Sequence, residues 1–191
     1  MTDPFADERL QFFLRNREDI KTWAAIEADV IAATRELLAG ARVLLAERMA
    51  EVDAGALVTR RDGGSWERIV VQRPTWPETI GLTLEWNRSV DVFGASRPKI
   101  GVFWWAEPTT LVAPRTRFVG LLNQAGPRTL GYKVPLESVW PVGARVHATP
   151  DWWKDPEAWI GSIVETLVAT WPLVAPKIDE ALAVEPWASG G

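Results

Sequence analysis

The chain has 191 residues, 47% apolar and 24% charged, a globular composition that excludes a disordered or collagen-like chain. It has no Cys, and His147 is its one histidine, which removes disulfides, thiolate zinc sites, a cysteine nucleophile and any multi-histidine metal cluster within one chain. The formal charge of −4 is unevenly spread: residues 1–53 carry 7 Lys+Arg against 11 Asp+Glu, residues 54–150 carry 12 against 7, and residues 151–191 carry 2 against 7.

An acidic pI of 5.2 works against wholesale binding of nucleic acid or anionic membranes. The basic middle is either neutralised by acidic helices packed beside it or presents a face to an acidic partner. The start, Met1 to Glu8, is acidic and lacks the cationic opening and apolar run of a signal peptide. Apolar runs stay far below the ~20 residues that cross a bilayer. The expectation is a cytoplasmic protein without a membrane partner.

In chain order, Asp3-Pro4 offers a cap and a first-turn proline for a helix striped by Phe5, Leu10, Phe13 and Leu14. Asn16, with Asp19 three residues on, marks a second start. From Ile20 to Val52 apolar residues recur every three or four positions. An unbroken helix over 17–53 would be about 50 Å long. That exceeds a compact domain, so either a bend near Gly40 or a helix projecting into a dimer is expected.

Residues 56–106 switch to a period of two. Ala56–Arg61 and Trp66–Arg73 flank Asp62-Gly63-Gly64, a hairpin signal. Ile80, Leu82, Leu84 and Trp86 alternate as on a strand with one buried face, and Ile100–Trp105 is apolar on both faces. Residues 87–98 read as a surface loop. A short helix is predicted near 115–124, with strands at 129–134 and 145–148. Asp155-Pro156-Glu157 then opens a C-terminal helix striped from Trp159 to Trp171. Pro172 should stop or kink it, with a further helix to Val184.

The whole reads as one α+β domain over 1–191. It comprises a helical segment over 4–53, a sheet region of five to six mainly antiparallel strands over 56–148, and a C-terminal helical region over 155–184 packed on the sheet.

Chemistry is scarce. G-x-S-x-G, the phosphate loop and G-x-G-x-x-G are all missing, so no backbone approach to a pyrophosphate is recognisable. His147 stands without a motif around it and is read as a partly exposed, non-catalytic side chain. Pro77-Glu78 followed by Glu85-Trp86-Asn87 loosely resembles the restriction-type PD-(D/E)XK nucleases, in which spaced acids hold a cation. That resemblance implies Glu78, Glu85 and Glu107 as metal-holding acids. Asn87 departs from it, standing where the family has its catalytic lysine. The simpler reading pairs Glu85 with a nearby Arg.

Twelve tryptophans remain to be explained, eight or nine of them expected as core filler in an Arg- and Ala-rich chain. Indoles not in the core, interleaved with arginines, suit an interface or a stacking platform. The leading expectation is therefore a non-catalytic regulatory module that binds another macromolecule, most often a protein. Its face is assigned to Trp76, Arg73, Arg88, Arg97, Trp152 and Trp153, with possible homodimerisation through the N-terminal helices. No cofactor or metal is called for. The alternatives are the metal-dependent nuclease and a small-ligand binder with an aromatic pocket between the sheet and the C-terminal helix.

Overall fold

The computed structural model describes residues 7–92, 96–105, 109–125, 132–135 and 139–183. Helix α1 (Glu8–Arg15) is capped by Asp7, whose carboxylate accepts from the Arg9 amide at 2.8 Å. The Asp3-Pro4 start lies outside the described residues. Asn16 ends α1 and, as expected, stands where the next helix starts: its carbonyl accepts from the Ile20 amide at 2.9 Å, but its side chain turns back, Nδ2 donating with the Asn16 amide to the Phe12 carbonyl. Helix α2 (Arg17–Val52) then runs for 36 residues with no interruption at Gly40, and its first half projects from the body.

Five strands follow: β1 (Leu57–Gly63), β2 (Trp66–Gln72), β3 (Ile80–Asn87), β4 (Lys99–Trp104) and, after helix α3 (Val112–Ala125), β5 (Val142–Arg145). They pair in sequence order, every neighbour antiparallel. This is an α+β fold with helix α4 (Pro156–Leu182) packed on the sheet. The β1–β2 turn is tight because Gly64 takes φ +62, open to glycine without steric cost.

Alternation fixes which way the sheet faces. The register places Ile69, Leu84, Ile100 and Ala144 in one row and Val71, Leu82, Val102 and Val142 in the next. This face buries against Leu38, Leu45 and Met49 of α2 and Ile160, Val164, Leu167 and Trp171 of α4. Each such aliphatic contributes about 1.5–3 kcal/mol when fully buried. Trp104 stacks on Phe118 of α3 at 5.3 Å between ring centres.

Several sequence expectations shift. The last strand is 142–145 rather than 145–148: its ladder to β4 runs from Val142 opposite Val102 to Arg145 opposite Lys99, where β4 begins. Of the 129–134 strand, only Lys133 is seen pairing, with Gly143, and residues 129–131 lie outside the described part. The 87–98 loop is not wholly at the surface, since Val90 and Val92 are buried.

Helix α4 does not stop at Pro172 but continues past Pro172 and Pro176. Both prolines are exposed, while Trp171, Val174, Ala175 and Ile178 are buried. The carbonyls freed by the missing N–H groups thus lie towards water, and packing on the other side holds the helix together. By length and composition α4 is also apolar enough to cross a membrane, and here its apolar stripe lies in the core.

Six of the described tryptophans are buried (76, 86, 104, 140, 159 and 171), fewer than the eight or nine expected. Trp66 and Trp152 are half-buried, and Trp23, Trp105 and Trp153 are exposed.

Candidate functional site

Among the described residues, α2 is packed on the body from Ile31 onward. Its buried residues are Thr34, Leu38, Ala41, Leu45 and Met49, whereas every residue from 21 to 30 is exposed. The apolar pattern nevertheless continues along the projecting half. Trp23 is 75% exposed, and Ile26 and Val30 are each more than half exposed. Near the tip, Phe12 of α1 joins Ile20, Trp23 and Ala24 in lining an open hollow of ≈700 Å³.

Where α2 meets the body, a short turn, Trp152–Lys154, brings two more indoles to it. Trp152 is half-buried against Trp159, with 4.7 Å between ring centres. Trp153 is 63% exposed, with the Lys154 ammonium 5.5 Å from its ring. On one side the pair borders a hollow of ≈320 Å³ with Val30, Ala33, Leu37 and Pro156. On the other it borders one of ≈600 Å³ with Glu27, Ile31 and the Ser89–Val92 stretch. An apolar, aromatic surface thus runs from α1 along α2 to Trp153.

The root of the projecting half is fixed electrostatically. Glu67 on β2 is 2% exposed and accepts from Arg35 Nε at 2.9 Å and Arg60 Nη2 at 2.7 Å, with a second contact from Arg35 Nη2. A carboxylate that deeply buried is tolerable because two guanidinium groups meet it.

The six residues assigned to one face divide between the two ends of the sheet. Arg88 and Arg97 belong to the β3–β4 connection, whose Ser89–Val92 stretch borders the hollow beside Trp152 and Trp153. Arg88 is exposed and its amide closes onto the Ser65 carbonyl at 3.0 Å. Arg97 is half-buried, with Nη1 3.0 Å from His147 Nδ1.

Arg73 and Trp76 lie at the opposite end, in the β2–β3 connection, and are removed from the face. Trp76 is 5% exposed, donates its Nε1–H to Asp179 at 2.7 Å, and packs its ring 5.3 Å from Trp171. Arg73 joins Asp179 and Asp53, the latter at 3.2 Å, tying the connection to the ends of α4 and α2. Burial pushes the Asp53 carboxyl up. Hydrogen bonds from the Trp171 indole and the Gly55 amide, together with Arg73, outweigh that and hold it below its ordinary value.

The two acids Glu78 and Glu85 do come together, lining one cleft on the helix-free face of the sheet; Glu107 lies outside the described residues. Glu85 meets Arg68 Nη2 at 2.9 Å, and Lys99 is its cross-strand partner on β4. Asn87 is occupied elsewhere: its Oδ1 accepts from the amide and hydroxyl of Ser89, both at 2.9 Å, ending β3 in a side-chain turn. Among the described residues there is no group of three or more Asp, Glu, His or Cys placed to hold a metal.

The space between sheet and α4, assigned to an aromatic pocket, is filled by Ile160, Val164, Leu167 and Trp171. The aromatic cleft is on the other side of the sheet, where Trp66, Phe103, Trp105 and Trp140 border it. Sequence reasoning passed over these residues as site members. The signal was available: Trp66, Arg68, Glu85, Lys99 and Phe103 all have the parity opposite to the core-facing residues of their strands. Compared with protein-family models, curated proteins and solved structures, the chain matches none.

Proposed function

We propose that the protein is a protein-binding module that engages its partner through the projecting half of α2 and the adjoining Trp152-Trp153 turn. One observation carries this reading: Trp23, Ile26 and Val30 stand in water on a helix that has left the core. Contiguous apolar surface of this kind is uncommon on a monomer and marks interaction sites. Their spacing of i, i+3 and i+7 is the one with which an amphipathic helix lays itself into a groove of another protein. Trp153 adds an aromatic anchor at the base, and aromatic side chains are enriched in interface centres. Arg88 supplies an exposed cation at the same end of the sheet.

The test compares the parent with a Trp23→Ser/Ile26→Ser double variant and a Trp153→Ala variant, each purified from its host under identical conditions. All three positions are exposed, so the melting temperature should not change. A partner recovered in fixed ratio with the parent and lost with the double variant supports the reading. A doubled mass of the purified parent in light scattering, reverting to the monomer in the variant, identifies a second copy as the occupant. Equal partner recovery and equal mass for parent and double variant overturn the proposal.

A further inference from the structure

The helix-free face of the sheet is built unlike one that only meets water. Glu85, Lys99 and Gln72 on it are all more than nine-tenths buried, although the hydrophobic core lies on the opposite face. Removing ionic groups from water costs several kcal/mol each before pairing returns it. Around them lies a cleft of ≈500 Å³, within the range of about 300–1,000 Å³ typical of small-molecule sites.

The cleft combines rings with cations. The Arg68 guanidinium stands 4.3 Å above the Phe103 ring, and Lys99 Nζ lies 5.1 Å from the Trp66 ring and 5.8 Å from that of Trp140. Arg68 and Lys99 face Glu85. Arg61 is different: it donates to two neutral acceptors, the Glu78 carbonyl and Gln72 Oε1, the latter at 2.7 Å. Its positive charge is met by no carboxylate in those bonds. Among the described residues lining the cleft, the three cations Arg61, Arg68 and Lys99 outnumber the two carboxylates Glu78 and Glu85. Trp105, although it borders the cleft, keeps 44% of its surface in solvent.

We propose that this cleft binds a small planar anion, an aromatic ring bearing a carboxylate or phosphate. Arg61 takes the anionic group, and the exposed Trp105 and half-buried Trp66 take the plane of the ring. A neutral sugar would stack on indoles too, but it gives Arg61 nothing to neutralise. A long polyanion is disfavoured by the exposed Glu78 that lines the cleft and by the acidic chain as a whole.

Isothermal titration calorimetry tests this with AMP and 2-naphthoate, each against its neutral counterpart, adenosine and 2-naphthamide. At least one anion should bind with a Kd below about 1 mM and at least about tenfold more tightly than its neutral counterpart. Binding by AMP alone points to a nucleotide source, and by 2-naphthoate alone to an aromatic acid. Arg61→Gln should erase the preference for the anion, and Trp105→Ala should weaken charged and neutral ligands alike. Trp105 is exposed and its variant should keep the parent's melting temperature, whereas Arg61→Gln gives up the bond to buried Gln72 and should melt a few degrees lower while staying folded at the temperature of the titration. The Trp23→Ser/Ile26→Ser protein should bind as the parent does. The proposal is overturned if the folded parent takes up neither anion, if every anion that binds is matched by its neutral counterpart, or if Arg61→Gln leaves the preference intact.

Discussion

Replacing Glu67 by Gln tests whether the ion cluster at the root of the projecting helix anchors it. The side chain keeps its shape and one acceptor oxygen but loses the charge that faces Arg35 and Arg60. Breaking a fully buried pair costs about 3–5 kcal/mol, because the remaining charge is stranded. Here the stranded charges are only partly buried: the Arg35 and Arg60 side chains are 34% and 42% exposed. Both can turn towards water, so the loss should fall lower, at about 2 kcal/mol. For a chain of this length that corresponds to a melting temperature lower by about 4–8 °C. Arg35 alone reaches Glu67 from α2, so amide exchange should rise most in residues 31–38, the first turns of α2 on the body. A double-mutant cycle with Arg35→Met isolates the helix-to-sheet contact and should give a coupling of about 1 kcal/mol or more. A Glu67→Gln protein that melts with the parent, or a cycle with no coupling, refutes the reasoning.

Two further substitutions probe features away from that cluster. Gly101 on β4 has φ +146, and a Cβ there would run into the Val142 carbonyl oxygen and the Gly143 Cα. Gly101→Ala should therefore cost more than about 3 kcal/mol and weaken amide protection along β4–β5; an unchanged thermal transition would contradict this. Asp53 is held below its ordinary pKa of 3.8, so its contribution to stability is fully present above that value and is lost as pH drops below it towards the lowered pKa of the folded state. The melting-temperature gap between parent and Asp53→Asn should narrow from pH 6 to pH 3, and a gap that stays constant or widens would count against the assignment.

Where a signal was local, the sequence could be read directly. The alternation of Ile80, Leu82, Leu84 and Trp86 places β3, and Asp155-Pro156 starts α4, because period and capping are properties of adjacent residues. Pro172 was misjudged because its effect depends on which side of α4 meets water, and that is decided by a sheet whose strands lie earlier in the chain, from Leu57 to Arg145. Trp76 and Arg73 went astray for a similar reason. Their partner Asp179 lies 103 residues beyond Trp76, and no spacing rule brings the two together. The proximity of Glu78 and Glu85 was visible as a motif, whereas the rings bordering their cleft come from β2, β4 and the segments after β4 and before β5. They become neighbours only once the meander is laid out in register. The solvent-facing tryptophan of α2 carried no distinguishing mark, since its spacing is the same as that of the residues that reach the core.

An uninterrupted α2 has a mechanical meaning as well. At 1.5 Å per residue, Trp23 stands about 22 Å along the axis from Leu38, the nearest leucine of that helix sealed inside. With no proline or hinge between them, the rod acts as a spacer. It sets both the reach and the azimuth of anything held at its tip, and inserting or deleting one residue between 31 and 33 would swing that cargo by about 100° around the axis without touching the docking residues themselves.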